Sequence, residues 1–265
     1  NPFRKEALAV AELQNSHIIK VLDFGQSDSG MLYLALEFLE GETLAARLTR
    51  VGRIPFNKLV DIVSQVAEGL GEAHAMGFVH RDIRPRNMML TTRDGRADFV
   101  KILDFGLSKI VTDNPDPSKS GIGFTVGDPT YTAPEQMKAL SVDARTDIYS
   151  LGVLTFHCLS GFPPFTGGNI FEIMGKHLDP PVPQMEGNIA EVPAGIDGVI
   201  ARAMAKRPED RFATVIQFSE ALKSLVKSPV APTTGRFKAV QKAPSMLNMQ
   251  APYQLQQDPS YQGPA

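Results

Sequence analysis

The chain has 265 residues, 43% of them hydrophobic, and a net charge of −2 from 27 basic and 29 acidic side chains. This length allows one large domain or two small ones around a sizeable core, and the near-neutral balance gives no global attraction to nucleic acid or an anionic membrane. The single cysteine, Cys158, excludes an internal disulfide and a cysteine-cluster metal site and suits a reducing compartment.

Residues 3–14 place Phe3, Ala7, Val10, Ala11 and Leu13 on one face and predict a helix that carries Glu6. Residues 31–38, Met-Leu-Tyr-Leu-Ala-Leu-Glu-Phe, read as a strand that Glu40-Gly41-Glu42 breaks, and Thr43-Leu44 starts a short helix. From 57 to 77, Leu59, Ile62, Val63, Val66, Leu70 and Ala73 line one side of a long amphipathic helix, with Gly77 placed to cap it. No run of about 18 apolar residues is available to span a membrane, and no signal-peptide pattern opens the chain. The chain begins Asn1-Pro2-Phe3 rather than with Met, so a fragment of a longer protein is expected.

Two polar motifs then stand among apolar residues: His80-Arg81-Asp82-Ile83-Arg84-Pro85-Arg86-Asn87 and Asp104-Phe105-Gly106. Between them, Met88-Met89-Leu90 and Phe99-Val100-Lys101-Ile102-Leu103 read as two strands around an Asp94-Gly95 turn. A hairpin brings its ends together, so Asp82, Asn87 and Asp104 converge. Two acids and an amide suit Mg²⁺, which takes oxygen ligands and accompanies phosphates. The chemistry this implies is metal-assisted phosphoryl transfer. A loop from 107 to 132 follows, with Pro115, Pro117, Gly121, Gly123 and hydroxyls that include Thr112, Ser118, Ser120, Thr125, Thr130 and Thr132; loops of this length are usually functional or disordered. A buried helix is expected from 142, ending at Gly161-Phe162-Pro163-Pro164, with His157 and Cys158 as core or near-core residues. Helices are expected at about 195–205 and 212–226. From about 227 prolines interleave with Gln, Ser and Ala without a helical or strand period.

His-Arg-Asp-x-x-x-x-Asn, then Asp-Phe-Gly, with Ala133-Pro134-Glu135 beyond, resembles the catalytic core of the eukaryotic-type (Hanks-type) protein kinases. The phrasing of Pro134-Glu135-Gln136 and of Asp147-Ile148-Tyr149-Ser150-Leu151-Gly152 is similar to that of bacterial serine/threonine kinases. The resemblance covers residues 3 to about 226. It implies an α+β protein-kinase-like fold: a complete, mainly helical C-lobe and a partial N-lobe holding only the family's helix αC (residues 3–14) and its fourth and fifth strands (residues 18–25 and 31–38). The implied domains are a kinase domain over 1–226 and a disordered Pro/Gln-rich tail or linker over 227–265.

What the resemblance implies about function is specific. The cofactors are ATP and Mg²⁺, and the partners are proteins with Ser or Thr hydroxyls and a second kinase copy for trans-autophosphorylation, with no nucleic acid and no membrane segment; the location is cytoplasmic. Asp82 orients the hydroxyl and takes its proton, Arg84 steadies the γ-phosphate, and Asn87 and Asp104 hold Mg²⁺. Leu36 is the gatekeeper, the backbone at Glu37 and Leu39 meets adenine, Glu42 reaches towards ribose, Met89 belongs to the nucleotide site, and Glu6 pairs with a lysine upstream. Arg81 would pair with a phosphate on the loop, at Ser120 or Thr125. His80, Phe105, Asp147 and a Glu135–Arg211 pair are structural.

The sequence departs from the family in four places. No G-x-G-x-x-G and no V-A-I-K lysine precede Glu6. Arg84 stands where serine/threonine kinases usually have lysine, and Asp128 where they usually have threonine; an Arg84–Asp128 ion pair would replace the usual contact. The 88–103 hairpin is also longer than the family norm. The rival class is a pseudokinase scaffold without phosphotransfer; whether a glycine-rich loop and a lysine precede Asn1 separates the two. A small-molecule kinase of the same fold is disfavoured by Ala133-Pro134-Glu135 and Arg211.

Overall fold

The computed structural model describes residues 12–27, 32–105 and 128–231. Two antiparallel sheets lie on a mainly helical body. Strands β1 (Val21–Gln26) and β2 (Leu32–Leu36) form one sheet; β3 (Gly41–Thr43), β4 (Met88–Arg93) and β5 (Arg96–Ile102) form the other in that order. The helices are α1 (Leu44–Val51), α2 (Phe56–Ala75), the one-turn α3 (Pro134–Met137), α4 (Ala144–Ser160), α5 (Ile170–Leu178), α6 (Ile196–Ala203) and α7 (Val215–Ser224). The architecture is α+β, and among the described residues no helix is long and apolar enough to cross a membrane.

Helix α4 is the axis of the body. Its residues Ile148, Leu151, Val153, Leu154 and Phe156 are fully buried, as expected of a helix that is apolar on all sides. Asp143 caps its start by accepting from Arg145 N, and Gly161 ends it in the left-handed conformation at φ 86. A Cβ at Gly152 would lie 2.9 Å from Met204 Cγ and 3.0 Å from Ala203 Cβ, so only glycine lets α6 approach this closely. Helix α2 buries Leu59, Ile62, Val63, Val66 and Leu70 against β5, α4 and α7. Each such side chain contributes about 1.5–3 kcal/mol. The chain leaves α2 through Met76 at the cap, with Gly77 one residue beyond at φ 82.

Four expectations change. Strand β2 ends at Leu36, before Glu40-Gly41-Glu42, but this stretch also opens a strand of the other sheet. A Cβ on Gly41 would meet Leu90 O at 2.1 Å, so the glycine admits the backbone to β4 and Gly41–Thr43 pairs with residues 89–91. The hairpin strands run all the way to a two-residue Asp94-Gly95 turn, with φ 50 and 77 as the primed turn demands. Helix α5 was not foreseen: Asn169 caps it by accepting from Glu172 N, but only Ile173 and His177 are buried, too narrow a stripe for periodicity to reveal. Finally, the packed domain runs to 231 rather than 226. Ala194 N donates to Pro229 O and Ala231 N to Val192 O, and Ala231 is buried. Of the helix expected over 3–14, Glu12–Gln14 are not helical and the rest lies outside the described residues, as do Glu6, Ser120, Thr125 and Gly106.

Candidate active site

The turn after α2 is held by one carboxylate. Asp147, fully buried on α4, accepts from His80 N and Arg81 N at 2.8 Å each and from His74 Nε2 at 2.8 Å. Those donors stabilise a backbone in which Arg81 has φ 70, a conformation that costs a non-glycine residue about 1–3 kcal/mol. Gln136 Nε2 adds a bond to Arg81 O at 2.9 Å. The His80 ring, fully buried, donates from Nε2 to Leu103 O at 2.8 Å and accepts from Asp82 N at Nδ1, which fixes its tautomer. Its edge packs on Phe105 at 4.7 Å. Leu103 N donates to Asn87 O at 2.8 Å. The two ends of the hairpin are thereby joined, with Asp82, Asn87 and Asp104 beside one another.

Asn87 Nδ2 donates to Asp82 O at 2.8 Å and to Asp82 Oδ2 at 2.9 Å. Arg84 Nε lies 2.5 Å from Asp82 Oδ1, but its N–H is not aimed along a hydrogen bond, so that contact is one of charge. Arg84 also donates from Nη2 to Asp128 O at 3.0 Å, and its Nη1 is 3.6 Å from Asp128 Oδ2. The Arg84–Asp128 contact is thus one arm to a carbonyl and one to a carboxylate, not a fork on the carboxylate. Asp128 Oδ1 is occupied by the N–H and hydroxyl of Thr130, capping the turn Pro129–Tyr131. Arg86 reaches Asp82 Oδ2 at 3.6 Å from an exposed position.

Asp104 differs from these. It too has a positive φ, 57. Among the described residues its carboxylate has no hydrogen bond or ion pair, and the atoms crowding it, then the Asp82 charge, raise its pKa, although His80 and Arg86 partly offset this. An exposed carboxylate beside the amide of Asn87 fits a hard divalent cation. Asn87 Nδ2 is committed to Asp82, which leaves its Oδ1 as an oxygen that could face such a cation.

A cleft of about 370 Å³ is walled by Leu48, Arg84, Arg86, Asp128, Tyr131 and His157, and Arg84 and Arg86 of this wall contact Asp82. Burial depresses the His157 pKa to about 4, so at neutral pH its Nδ1 accepts from the Tyr131 hydroxyl at 2.5 Å. Further down, Glu135 and Arg211 make a two-armed buried pair, 2.8 Å on each arm, with Thr146 Oγ1 donating to the same carboxylate. Burial alone would raise the Glu135 pKa; the Arg211 hydrogen bonds and charge outweigh it and lower it.

The nucleotide-side residues behave less uniformly. Glu42 is engaged by the following helix, 2.5 Å from Arg47 Nε and 2.6 Å from Arg50 Nη2. Leu36, Leu39 and Met89 are half-buried. Glu37, expected to matter only through its backbone, uses its side chain as well: its carboxylate meets Lys101 Nζ at 2.5 Å. Sequence reading missed Lys101, His74 and Gln136. Lys101 was legible as a charge inside an apolar strand; His74 lies one helical turn before the chain exit, and nothing in its surroundings marks it.

The joined motif ends, with Asp82, Asn87 and Asp104 beside one another, have the arrangement of a kinase-type fold. The chain belongs to the protein kinase family: the family model described as "Protein kinase domain" matches residues 1–231. It is 37% identical over 228 residues to the serine/threonine-protein kinase pkn3 of Myxococcus xanthus, covering 85% of this chain and 42% of that protein. It is 36% identical over 219 residues to PknE of Mycobacterium tuberculosis, covering 83% and 37%. The chain therefore spans about two fifths of the curated relatives it matches. Among solved structures, the PknI kinase domain of Mycobacterium tuberculosis superposes with a TM-score of 0.65 at 28% identity, covering 84% of this chain and 78% of that one.

Proposed function

We propose that this chain is the catalytic part of a serine/threonine protein kinase that moves the γ-phosphate of ATP to protein hydroxyls. The observation that carries the reading is the Asp82 carboxylate, held by the Asn87 amide and contacted by Arg84 and Arg86, which line the cleft. A substrate segment in that cleft would bring its hydroxyl to Asp82. The hydroxyl oxygen forms the new P–O bond, the bond from the γ-phosphorus to the bridging oxygen breaks, ADP leaves, and Asp82 accepts the proton. Arg84, a cation next to Asp82, would draw the transferring phosphoryl group to the same place, and Asp128 would keep that cation in position. Asn87 and Asp104 would hold Mg²⁺, which when bound neutralises phosphate charge. The partners on this reading are Ser- or Thr-bearing proteins and a second kinase copy that phosphorylates Ser120 or Thr125 in trans, with Arg81 receiving the phosphate; Glu6 would pair with an upstream lysine, and the compartment is cytoplasmic.

The test is transfer from γ-labelled ATP to a protein substrate by protein carrying this sequence, with Asp82→Asn beside it. The substitution should cut turnover by about 10²–10⁴-fold, the usual worth of a general base, while nucleotide binding changes little. An unaltered turnover overturns the assignment. Equal loss of binding and turnover makes Asp82 structural.

A further inference from the structure

Lys101 breaks the pattern of its strand. Val100 and Ile102 point into the core and are fully buried; one step out of phase, Lys101 lies on the other face of β5, yet is only 9% exposed. Its Nζ donates to Ile18 O at 3.2 Å and to Glu37 Oε1 at 2.5 Å. Glu37 Oε1 also accepts from Lys20 N at 2.9 Å, while Glu37 N donates to Lys20 O at 3.0 Å. Segment 17–19 is itself stitched to β5 through Ile19 N to Ile102 O and Ile102 N to His17 O. Lys101 thus ties three stretches, 18–20, 37 and β5, at the joint between the two sheets.

A buried lysine–carboxylate pair is by itself weak evidence of stability. The significance of this one lies in what it holds still. Among the described residues, Glu37 O, Leu39 N and Leu39 O take part in no hydrogen bond. Three main-chain groups in the order acceptor, donor, acceptor form an open edge, and half-buried groups of this kind call for a partner. A planar base that offers both a donor and an acceptor along one side supplies it. We propose that Lys101 is a positioning residue for the nucleotide base: through the Glu37 carboxylate it fixes the backbone edge at 37–39 on which adenine is read. This rests on the nucleotide-binding part of the reading above, and not on phosphotransfer.

The experiment is calorimetric binding of adenosine and of ATP to protein carrying this sequence, wild type against Lys101→Met, Lys101→Arg and Glu37→Gln. Lys101→Met should weaken adenosine and ATP alike by about tenfold, the size of one lost charge-assisted hydrogen bond. Loss on the base side also predicts that the preference for ATP over GTP shrinks by a similar factor. Glu37→Gln keeps an acceptor for Lys20 N and should cost about threefold, and Lys101→Arg, which keeps the charge, less than Lys101→Met. A purely structural lysine would instead lower the melting temperature and the active fraction, leaving Kd and base preference as they were. Should Lys101→Met fail to fold, Glu37→Gln and Lys101→Arg carry the same measurement. Adenosine affinity and base preference unchanged within about twofold in the folded variants overturn the proposal, as does a wild type that binds no adenine nucleoside. A wild type that binds ATP without transferring phosphate sinks the kinase activity and leaves the Lys101 test standing.

Discussion

Asp147 and Asp104 are both attached to His80, and they are treated in opposite ways. Asp147 receives the His80 and Arg81 amides and the His74 ring, with no exposure at all. Asp104 follows Leu103, whose carbonyl receives the His80 ring, and has no protein donor among the described residues. A folded chain leaves few buried polar groups unmatched. Where the matching is complete, as at Asp147 and at Glu135, the carboxylate supports the backbone. Asp104 is exposed and has no such match among the described residues, so its carboxylate stands open to solvent and to a ligand. The sequence writes both as Asp inside an apolar context, so only the surroundings separate support from chemistry.

Removing each side of this comparison should move different observables. Asp147→Leu leaves two buried amides and a ring nitrogen without acceptors, at about 1–3 kcal/mol each, and should destabilise the fold by roughly 3–6 kcal/mol in denaturant unfolding. Arg211→Leu abandons the buried Glu135 carboxylate and should cost about 3–5 kcal/mol, lowering Tm by roughly 10 °C for a domain of this size. Asp104→Asn should do the reverse for stability, leaving Tm equal or slightly higher because a carboxylate beside the like charge of Asp82 is gone. The same variant should lose Mg²⁺-dependent nucleotide binding, read by titration with and without the metal. A strongly destabilised Asp104→Asn would place Asp104 with the supports and dissolve the contrast.

Much of the contrast was already readable. The order His80-Arg81-Asp82, Asn87, Asp104 and a two-residue turn between them is enough to derive convergence, because a hairpin has only one way to return. The axis helix was legible from its continuous apolar run. The pairing of Glu42 with two arginines on the following helix, Arg47 and Arg50, was not legible, because it depends on side-chain reach. Strand β3 and the pairing of Pro229–Ala231 with Val192–Ala194 depend on contacts far apart in the chain, to which local pattern is blind. Lys101 is the instructive omission: its position in the strand alternation placed it opposite the core, but what it meets there comes from two other segments.

Acid should separate the cleft wall from the rest more gently. Burial depresses His157 and His177 to about 4, against 6.5 for a free histidine; for His177 the nearby Lys206 adds to the effect. Between those values the unfolded chain binds protons that the native one refuses, so stability is full above about pH 6.5 and falls as the pH drops towards 4. The lowered Glu135 pKa acts in the same direction at lower pH, its contribution being lost as pH falls through its folded value. Melting temperatures across pH 4–7 should fall less steeply for His157→Gln than for wild type; identical slopes would mean that the Tyr131–His157 wall opens to water freely. The smallest effect is the Arg84–Asp128 coupling. In a double-mutant cycle of Asp128→Thr and Arg84→Lys, read as turnover, each single change should hurt more than the pair, with a coupling of about 0.5 kcal/mol or more. Strict additivity would leave Asp128 as a cap for its own turn.

The β4–β5 hairpin contains one residue too many on one side. Between the pairs Thr91–Phe99 and Arg93–Arg96, β5 inserts an extra position, with Asp98 at φ 57, its carboxylate on Arg47 and its carbonyl on Gln65 Nε2. Side chains in a strand alternate, so a slip of one residue would turn Asp104 and Asn87 out of phase with each other. A bulge anchored to α1 and α2 isolates the site from such slips. Length changes at the Asp94-Gly95 tip end at the bulge, and the four ladder pairs from Met88 to Thr91 keep their frame. The hairpin is therefore free to vary in length across descendants of this chain at its outer end and is held to a single reading frame at its inner one.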